Sequence, residues 1–178
     1  MSLHDIKEHC LTYQIPCISP ATENFLRSSL QEHTPHIVCE IGSAAGYSSI
    51  MMARTIASRG KIISYEISYP QYKKCIQHKS DMHCHNWSCY HVDGTKATTN
   101  VLQKCIEIDY AFIDAQKSEY HTFLKHLLPL MKPGHIVCDD CIKYRSKMTT
   151  LYRTIENLQL FTTVHHLDDD DGILIIHV

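Results

Sequence analysis

Six carboxylates and one lysine stand where a parallel sheet would gather them. In chain order they are Glu40, Glu66, Asp93, Asp114 and the pair Asp139-Asp140, with Lys117 three residues beyond Asp114. Each carboxylate closes or directly follows a short apolar run: HIVCEI (36–41), KIISYE (61–66), SCYHV (88–92), DYAFID (109–114) and HIVCD (135–139). Side chains of this kind can hold sugar hydroxyls, bind a cation, or receive a proton. One such residue would mean little, but five run ends in series is not what random loop composition produces.

The runs read as strands, and the stretches between them as helices over roughly 20–32, 47–58, 70–80, 95–106, 118–131 and 146–159. Pro20 and Pro70 suit first-turn positions, where a missing N–H costs nothing. Strand–helix units in series imply an α/β fold with a parallel sheet covered on both faces. Ligands then bind at the carboxyl ends of the strands, where the acidic residues lie. The last two strands, 161–167 and 172–178, are joined by DDDDG, too short for a crossover helix. Only an antiparallel hairpin fits, so the sheet is expected to be mixed. DDDDG itself neither alternates its ligands nor ends in a distant Glu, so it reads as a solvated turn rather than a calcium loop.

The chain has 178 residues, 44% of them apolar and 20% charged, with a net charge of −2. That favours one domain with a sizeable core and gives no global pull toward nucleic acid or anionic membrane. The opening MSLHDIKEHC lacks the apolar segment of a secretion signal, and no stretch reaches the ~18 apolar residues of a membrane span, so a cytoplasmic location is expected. Nine scattered cysteines fit reduced thiols rather than a disulfide framework. Cys138-Asp-Asp-Cys141 closes a strand and has two acidic residues between its thiols, which opposes thiolate chemistry. HCHNWSC (83–89) lacks a second metal-binding knuckle and reads as a loop entering a strand.

The most informative loop is IVCEIGSAAGYSSI (37–50). Strand, small-residue loop and helix start suggest a nucleotide cofactor, but Ala44 stands where a dinucleotide fingerprint has its middle glycine. Glu40 would repel a pyrophosphate and attract a cation such as the amino group of a methionine tail. Glu66, 20 residues after Gly46, suits a ribose diol. S-adenosylmethionine therefore fits better than NAD. The glycines serve a tight turn equally well, and Ser48 a helix start, so the loop alone is a weak signal.

Taken together, IPCISPATENFL (15–26), IVCEIGSAAGYSS (37–49), GKIISYEIS (60–68), VDG (92–94), FIDAQKSEY (112–120), LLPLMKPGHIVCDD (127–140) and DGILI (171–175) resemble the class I S-adenosylmethionine-dependent O-methyltransferases. The likeness is to the cation-dependent catechol and caffeoyl-CoA branch with its bacterial relatives. FIDAQKSEY is the most specific stretch. The resemblance implies a Rossmann-like, seven-stranded sheet with the last strand antiparallel, in a three-layer sandwich. It implies that Glu40, Gly42, Ser43 and Ser48 surround the methionine part with Ile18 nearby. Glu66 would bind the ribose, Asp93 and Gly94 would flank the adenine, and Asp114 would complete the cofactor site. It also implies Mg²⁺ on Asp114, Asp139 and Asp140, although Asp140 stands where the family usually has Asn. Lys117, disfavoured as a cation by a helix start and a metal, would be the general base.

The acceptor class stays open at this level. A small catechol-like hydroxyl compound, met by an enzyme that forms a homodimer, is the first expectation. A transfer RNA carrying hydroxyuridine is the second; the net charge weighs against it, and the basic cluster Lys143, Arg145 and Lys147 weighs for it. A cofactor-binding domain without methyl transfer is the third, and an NAD-binding module a distant fourth.

Overall fold

The computed structural model describes residues 1–56, 60–96, 107–167 and 171–178. Seven strands form one sheet: β1 (Ile37–Ile41), β2 (Lys61–Glu66), β3 (Trp87–His91), β4 (Ile108–Ile113), β5 (Met131–Cys138), β6 (Phe161–His166) and β7 (Gly172–His177). Their order is β3-β2-β1-β4-β5-β7-β6. The first five pair in parallel, and β7 lies antiparallel between β5 and β6. The mixed sheet and the terminal hairpin expected from the sequence are both present. The hairpin inserts its second strand into the sheet and leaves β6 at the edge.

The helices are α1 (Leu3–Thr12), α2 (Pro20–His33), α3 (Tyr47–Ile56), α4 (Tyr69–Asp81), α5 (Tyr120–Leu127) and α6 (Thr149–Asn157). Alternation along β1 shows how the layers divide. Val38 packs with Leu26 and Leu30 of α2, Met51 of α3 and Cys75 of α4, whereas Cys39 and Ile41 pack with Phe123 and Leu127 of α5 and Leu151 of α6. Successive side chains of a strand point to opposite faces, so both faces bury apolar residues. α3 is buried along most of its length, which explains its run of Ile50, Met51, Met52 and Ala53. Residues 97–106 of the helix expected over 95–106, and residues 168–170 of the DDDDG turn, lie outside the described residues.

Helix α1 was not expected. Its start is nevertheless written in the sequence as a capping box: the Ser2 side chain accepts the Asp5 N–H, and Asp5 accepts the Ser2 N–H. Ile6 and Cys10, four residues apart, form its buried stripe. Helix α2 begins with Pro20 in the first turn, as expected, and with Ser19 as its N-cap. Both Cys138 and Cys141 are buried free thiols, and HCHNWSC leads into β3 through Trp87. No helix among the described residues is long and apolar enough to cross a membrane.

Candidate active site at the carboxyl edge

The first five strands deliver their carboxyl ends to one edge, and the ladder continues past them. The Gly42 N–H donates to Tyr65, Asp114 N–H to Ile41, and Asp139 N–H to Ile113, at 2.9, 3.0 and 3.0 Å. These bonds hold the loops after β1, β4 and β5 side by side. A cavity of about 780 Å³ opens there, a size that suits a small-molecule or cofactor site.

Of the expected cofactor residues, Ile18, Gly42, Ser43, Ser48, Glu66, Asp93, Gly94 and Asp114 all line this cavity. Gly42 has φ +93°, and a Cβ there would lie 2.0 Å from the Asp114 carbonyl oxygen, so only glycine lets the two loops close. Gly46 has φ +87° and packs against the Trp87 ring, where a Cβ would approach to 2.5 Å. Ala44, between them, is itself left-handed at φ +43°. Its N–H donates to Glu66 Oε2, and Ser68 N–H donates to Oε1, both at 2.7 Å. Glu66 thus braces the glycine loop while lining the cavity. Burial pushes its carboxyl up, against the pull of those N–H donors. Asp93 accepts the N–H and hydroxyl of Thr95.

Glu40 requires a correction. It is fully buried, does not line the cavity, and both its oxygens accept hydroxyls, one from Ser48 and one from Ser49. Burial pushes its carboxyl up to about 8 despite those donors. Glu40 therefore fixes the first turn of α3 from beneath. The alternation of β1 places it on the α2/α3 face with Val38.

The residues expected to carry the chemistry gather around Lys117. Lys117 lies in a 3-10 turn (Lys117–Glu119) before α5. Its Nζ is 2.8 Å from Asp114 Oδ1, 2.7 Å from Asp140 Oδ2 and 2.9 Å from the Tyr120 hydroxyl. Burial pulls its pKa down, but Asp114 and Asp140 outweigh that, and the net direction is up. In this arrangement the Lys117 ammonium, half-buried, is held by two carboxylates. Asp139 points elsewhere: its Oδ1 accepts the Thr22 hydroxyl of α2 at 3.2 Å. Burial first, then Asp114 and Asp140, push its carboxyl up to about 8.

The divalent-cation site expected on Asp114, Asp139 and Asp140 is therefore not what these side chains form. Among the described residues, no group of three His, Cys, Asp or Glu side chains is arranged to hold a metal ion. The physical reason is charge pairing: the carboxylate of Asp140, unlike an amide, draws Lys117 between itself and Asp114.

Several site residues carried no expectation. Tyr120 receives Lys117 and donates to the Ile113 carbonyl at 3.0 Å. Its spacing of three from Lys117 within FIDAQKSEY was the available signal. Tyr47 lines the cavity and is anchored by donating to Glu23 at 2.6 Å. Asp171, at the end of the DDDDG run, is buried beside Asp140; burial and that neighbour push its carboxyl up. Tyr144 and Lys147 form part of the cavity mouth, and the Lys143 and Lys147 ammoniums stand 5.5 and 4.9 Å from the Tyr144 ring.

A parallel sheet with one reversed strand, and a cavity at its carboxyl edge bounded by a glycine turn and strand-end acids, defines the class of Rossmann-like cofactor-site folds. A sequence model of the O-methyltransferase family matches residues 3–177, and the chain belongs to that family. It is 34% identical over 102 residues to a putative caffeoyl-CoA O-methyltransferase of Arabidopsis thaliana, covering 57% of this chain and 44% of that protein. It is 29% identical over 128 residues to a catechol O-methyltransferase of Niastella koreensis, covering 69% and 57%. The matches thus span about half the length of these relatives. The fold superposes on an O-methyltransferase from Bacillus cereus, solved with SAH, with a TM-score of 0.87 at 19% identity, covering 99% of this chain and 90% of that one. It superposes on TomG of Streptomyces achromogenes, solved with SAM, with a TM-score of 0.81 at 17% identity, covering 99% and 88%.

Proposed function

We propose that this chain transfers a methyl group from S-adenosylmethionine to an oxygen of a small, catechol-like acceptor. The observation that carries the reading is one cavity lined by Gly42, Glu66, Asp93, Gly94, Asp114 and Lys117 in a chain of the O-methyltransferase family. The two structural relatives solved with SAH and SAM support the choice of cofactor.

The residues fit that cofactor. Gly42 and Ser43 allow close backbone approach for the methionine part, with Ile18 covering it. Glu66 is placed for the ribose hydroxyls, and Asp93 and Gly94 for the base. When bound, S-adenosylmethionine supplies a methyl on a sulfonium: the carbon passes to the acceptor oxygen, the bonding pair stays on sulfur, and the hydroxyl proton leaves to a carboxylate or water. Lys117, its three N–H groups held by Asp114, Asp140 and Tyr120, places a fixed positive charge beside the acceptor oxygen and stabilises its negative charge as it develops. Tyr120 and Asp114 fix the direction of that ammonium. Most of the acceleration comes from positioning. Divalent-cation assistance is not part of this reading, because Lys117 and Thr22 engage the side chains that would ligate the ion.

Transfer to a hydroxyuridine of transfer RNA is a second reading. Its specific support is that Lys147 and Tyr144 of the basic segment line the cavity mouth. Calorimetry with S-adenosylmethionine and with NAD tests the cofactor. Binding of the first alone is expected; tight NAD binding without it would overturn the reading. Methyl transfer to 3,4-dihydroxybenzoate against transfer to unmodified and hydroxyuridine-bearing tRNA separates the two acceptor classes.

A further inference from the structure

We propose that Lys117 is the resident cation of this site, standing where a divalent ion would have to stand, so that the chain works without a bound metal. The inference rests on the reading of the cavity as a methyl-transfer site. It turns on the disagreement between the three acidic strand ends and what they are bonded to.

Three observations converge. The Lys117 ammonium is within 2.8 Å of Asp114 and 2.7 Å of Asp140, and its side chain is only 12% exposed. It is a lodged group, not a surface lysine that happens to lean inward. Tyr120, fully buried, accepts a third bond from the same Nζ and is itself anchored on the Ile113 carbonyl. The three bonds point the ammonium into the gap between the tips of β4 and β5. Asp139, the remaining carboxylate, is tied by Thr22 to the start of α2.

A small hard cation needs several oxygen ligands at close to 2 Å. Here it would have to take Asp114 and Asp140 from an ammonium already bonded to both, and it would bring two positive charges beside that ammonium. An amide at position 140 would leave Lys117 held by Asp114 and Tyr120 alone and more easily displaced, because a neutral carbonyl holds an ammonium less strongly than a carboxylate does. The carboxylate at position 140 is thus the feature that makes the lysine part of the site's framework. The reaction places no demand that the lysine cannot meet. A developing oxyanion can be stabilised by the charge of a fixed ammonium as well as by a metal ion, provided that charge is held in place beforehand.

The test is Mn²⁺ binding followed by electron paramagnetic resonance on the wild-type chain and on Lys117→Met, each with and without S-adenosylhomocysteine, with thermal melts to show that both fold. Wild type is expected to bind no Mn²⁺ saturably. Lys117→Met, with its carboxylates released, is expected to gain a saturable site that a further Asp114→Asn removes. Saturable binding to wild type that Asp114→Asn abolishes would overturn the proposal. So would a failure of both wild type and Lys117→Met to bind, since Lys117 would then not be what keeps the ion out. In parallel, methyl transfer to 3,4-dihydroxybenzoate is expected to be unchanged by EDTA; a loss of about tenfold or more that Mg²⁺ restores would also overturn it. If no transfer to this acceptor occurs under any condition, the proposed acceptor class fails, and the Mn²⁺ measurements still decide the role of Lys117.

Discussion

The hydroxyl of Tyr120 accepts from Lys117 Nζ at 2.9 Å while donating to the Ile113 carbonyl at 3.0 Å. A side chain at the start of α5 thus passes the position of β4's last carbonyl on to the ammonium in the cavity. Tyr120→Phe keeps the ring, which packs against Phe123, and removes the relay together with the hydroxyl's longer contacts to the Ala115 N–H and the Asp139 carbonyl. The expected result is a fall in kcat of about tenfold with little change in cofactor affinity, and a stability loss of about 1 kcal/mol. Steady-state kinetics beside cofactor calorimetry separates this from general damage, which would lower both.

Gly42→Ala should be among the most harmful single changes. The new Cβ would sit 2.0 Å from the Asp114 carbonyl oxygen at a backbone φ of +93°. The backbone conformation alone costs about 1–3 kcal/mol, before any loop displacement. A lower melting temperature together with loss of S-adenosylmethionine binding is expected in calorimetry. A variant that binds normally would show that the two loops need not approach so closely.

Glu40 carries a pH signature. Burial raises its folded pKa to about 8 from an ordinary 4.5. Between those values the folded chain keeps a proton that the unfolded chain releases, so stability falls as pH rises through the window. Glu40→Gln removes this titration while keeping a partner for Ser48 and Ser49. The expected outcome is a shallower decline of melting temperature from pH 5 to pH 8 than wild type shows, measured without cofactor.

His135 predicts the opposite slope at the far edge of the sheet. It sits between His33 and His177, with ring centroids at 4.0 and 4.8 Å, and its buried Nδ1 has no hydrogen-bond partner. Burial, then the two neighbouring imidazoles, lower its pKa from 6.5 to about 4. The stability associated with its neutral form is complete above about pH 6.5 and is lost as pH falls toward 4. His135→Phe keeps an aromatic ring in the stack and should lose less stability than wild type between pH 7 and pH 5, as read from urea midpoints.

Much of this architecture is legible in the chain because burial and turns leave periodic marks. The strand ends, the mixed sheet and the closing hairpin follow from apolar runs and a connector too short for a helix. What periodicity records is which face a residue occupies, and here that rule was available but outweighed. Glu40 alternates with Cys39 and Ile41, which places it under α3, yet its acidity suggested a ligand contact. The cluster at Lys117 is harder to foresee. Asp114, Asp139 and Asp140 do gather at neighbouring strand tips, but whether two of them pair with a lysine or turn toward an ion depends on side-chain positions a few ångströms apart. Helix α1 was missed because its buried stripe is only Ile6 and Cys10, with polar residues around it.

The bond from Thr22 to Asp139 joins residues far apart in sequence, the third residue of α2 and the tip of β5. Ser19, which caps the same helix turn, follows directly on Pro16, Cys17 and Ile18 of the cavity wall. The cavity wall at residues 16–18 and the buried carboxylate behind the Lys117 cluster are thus tied through one helix turn, so a change at Thr22 is felt at the tip of β5 as well as along that wall.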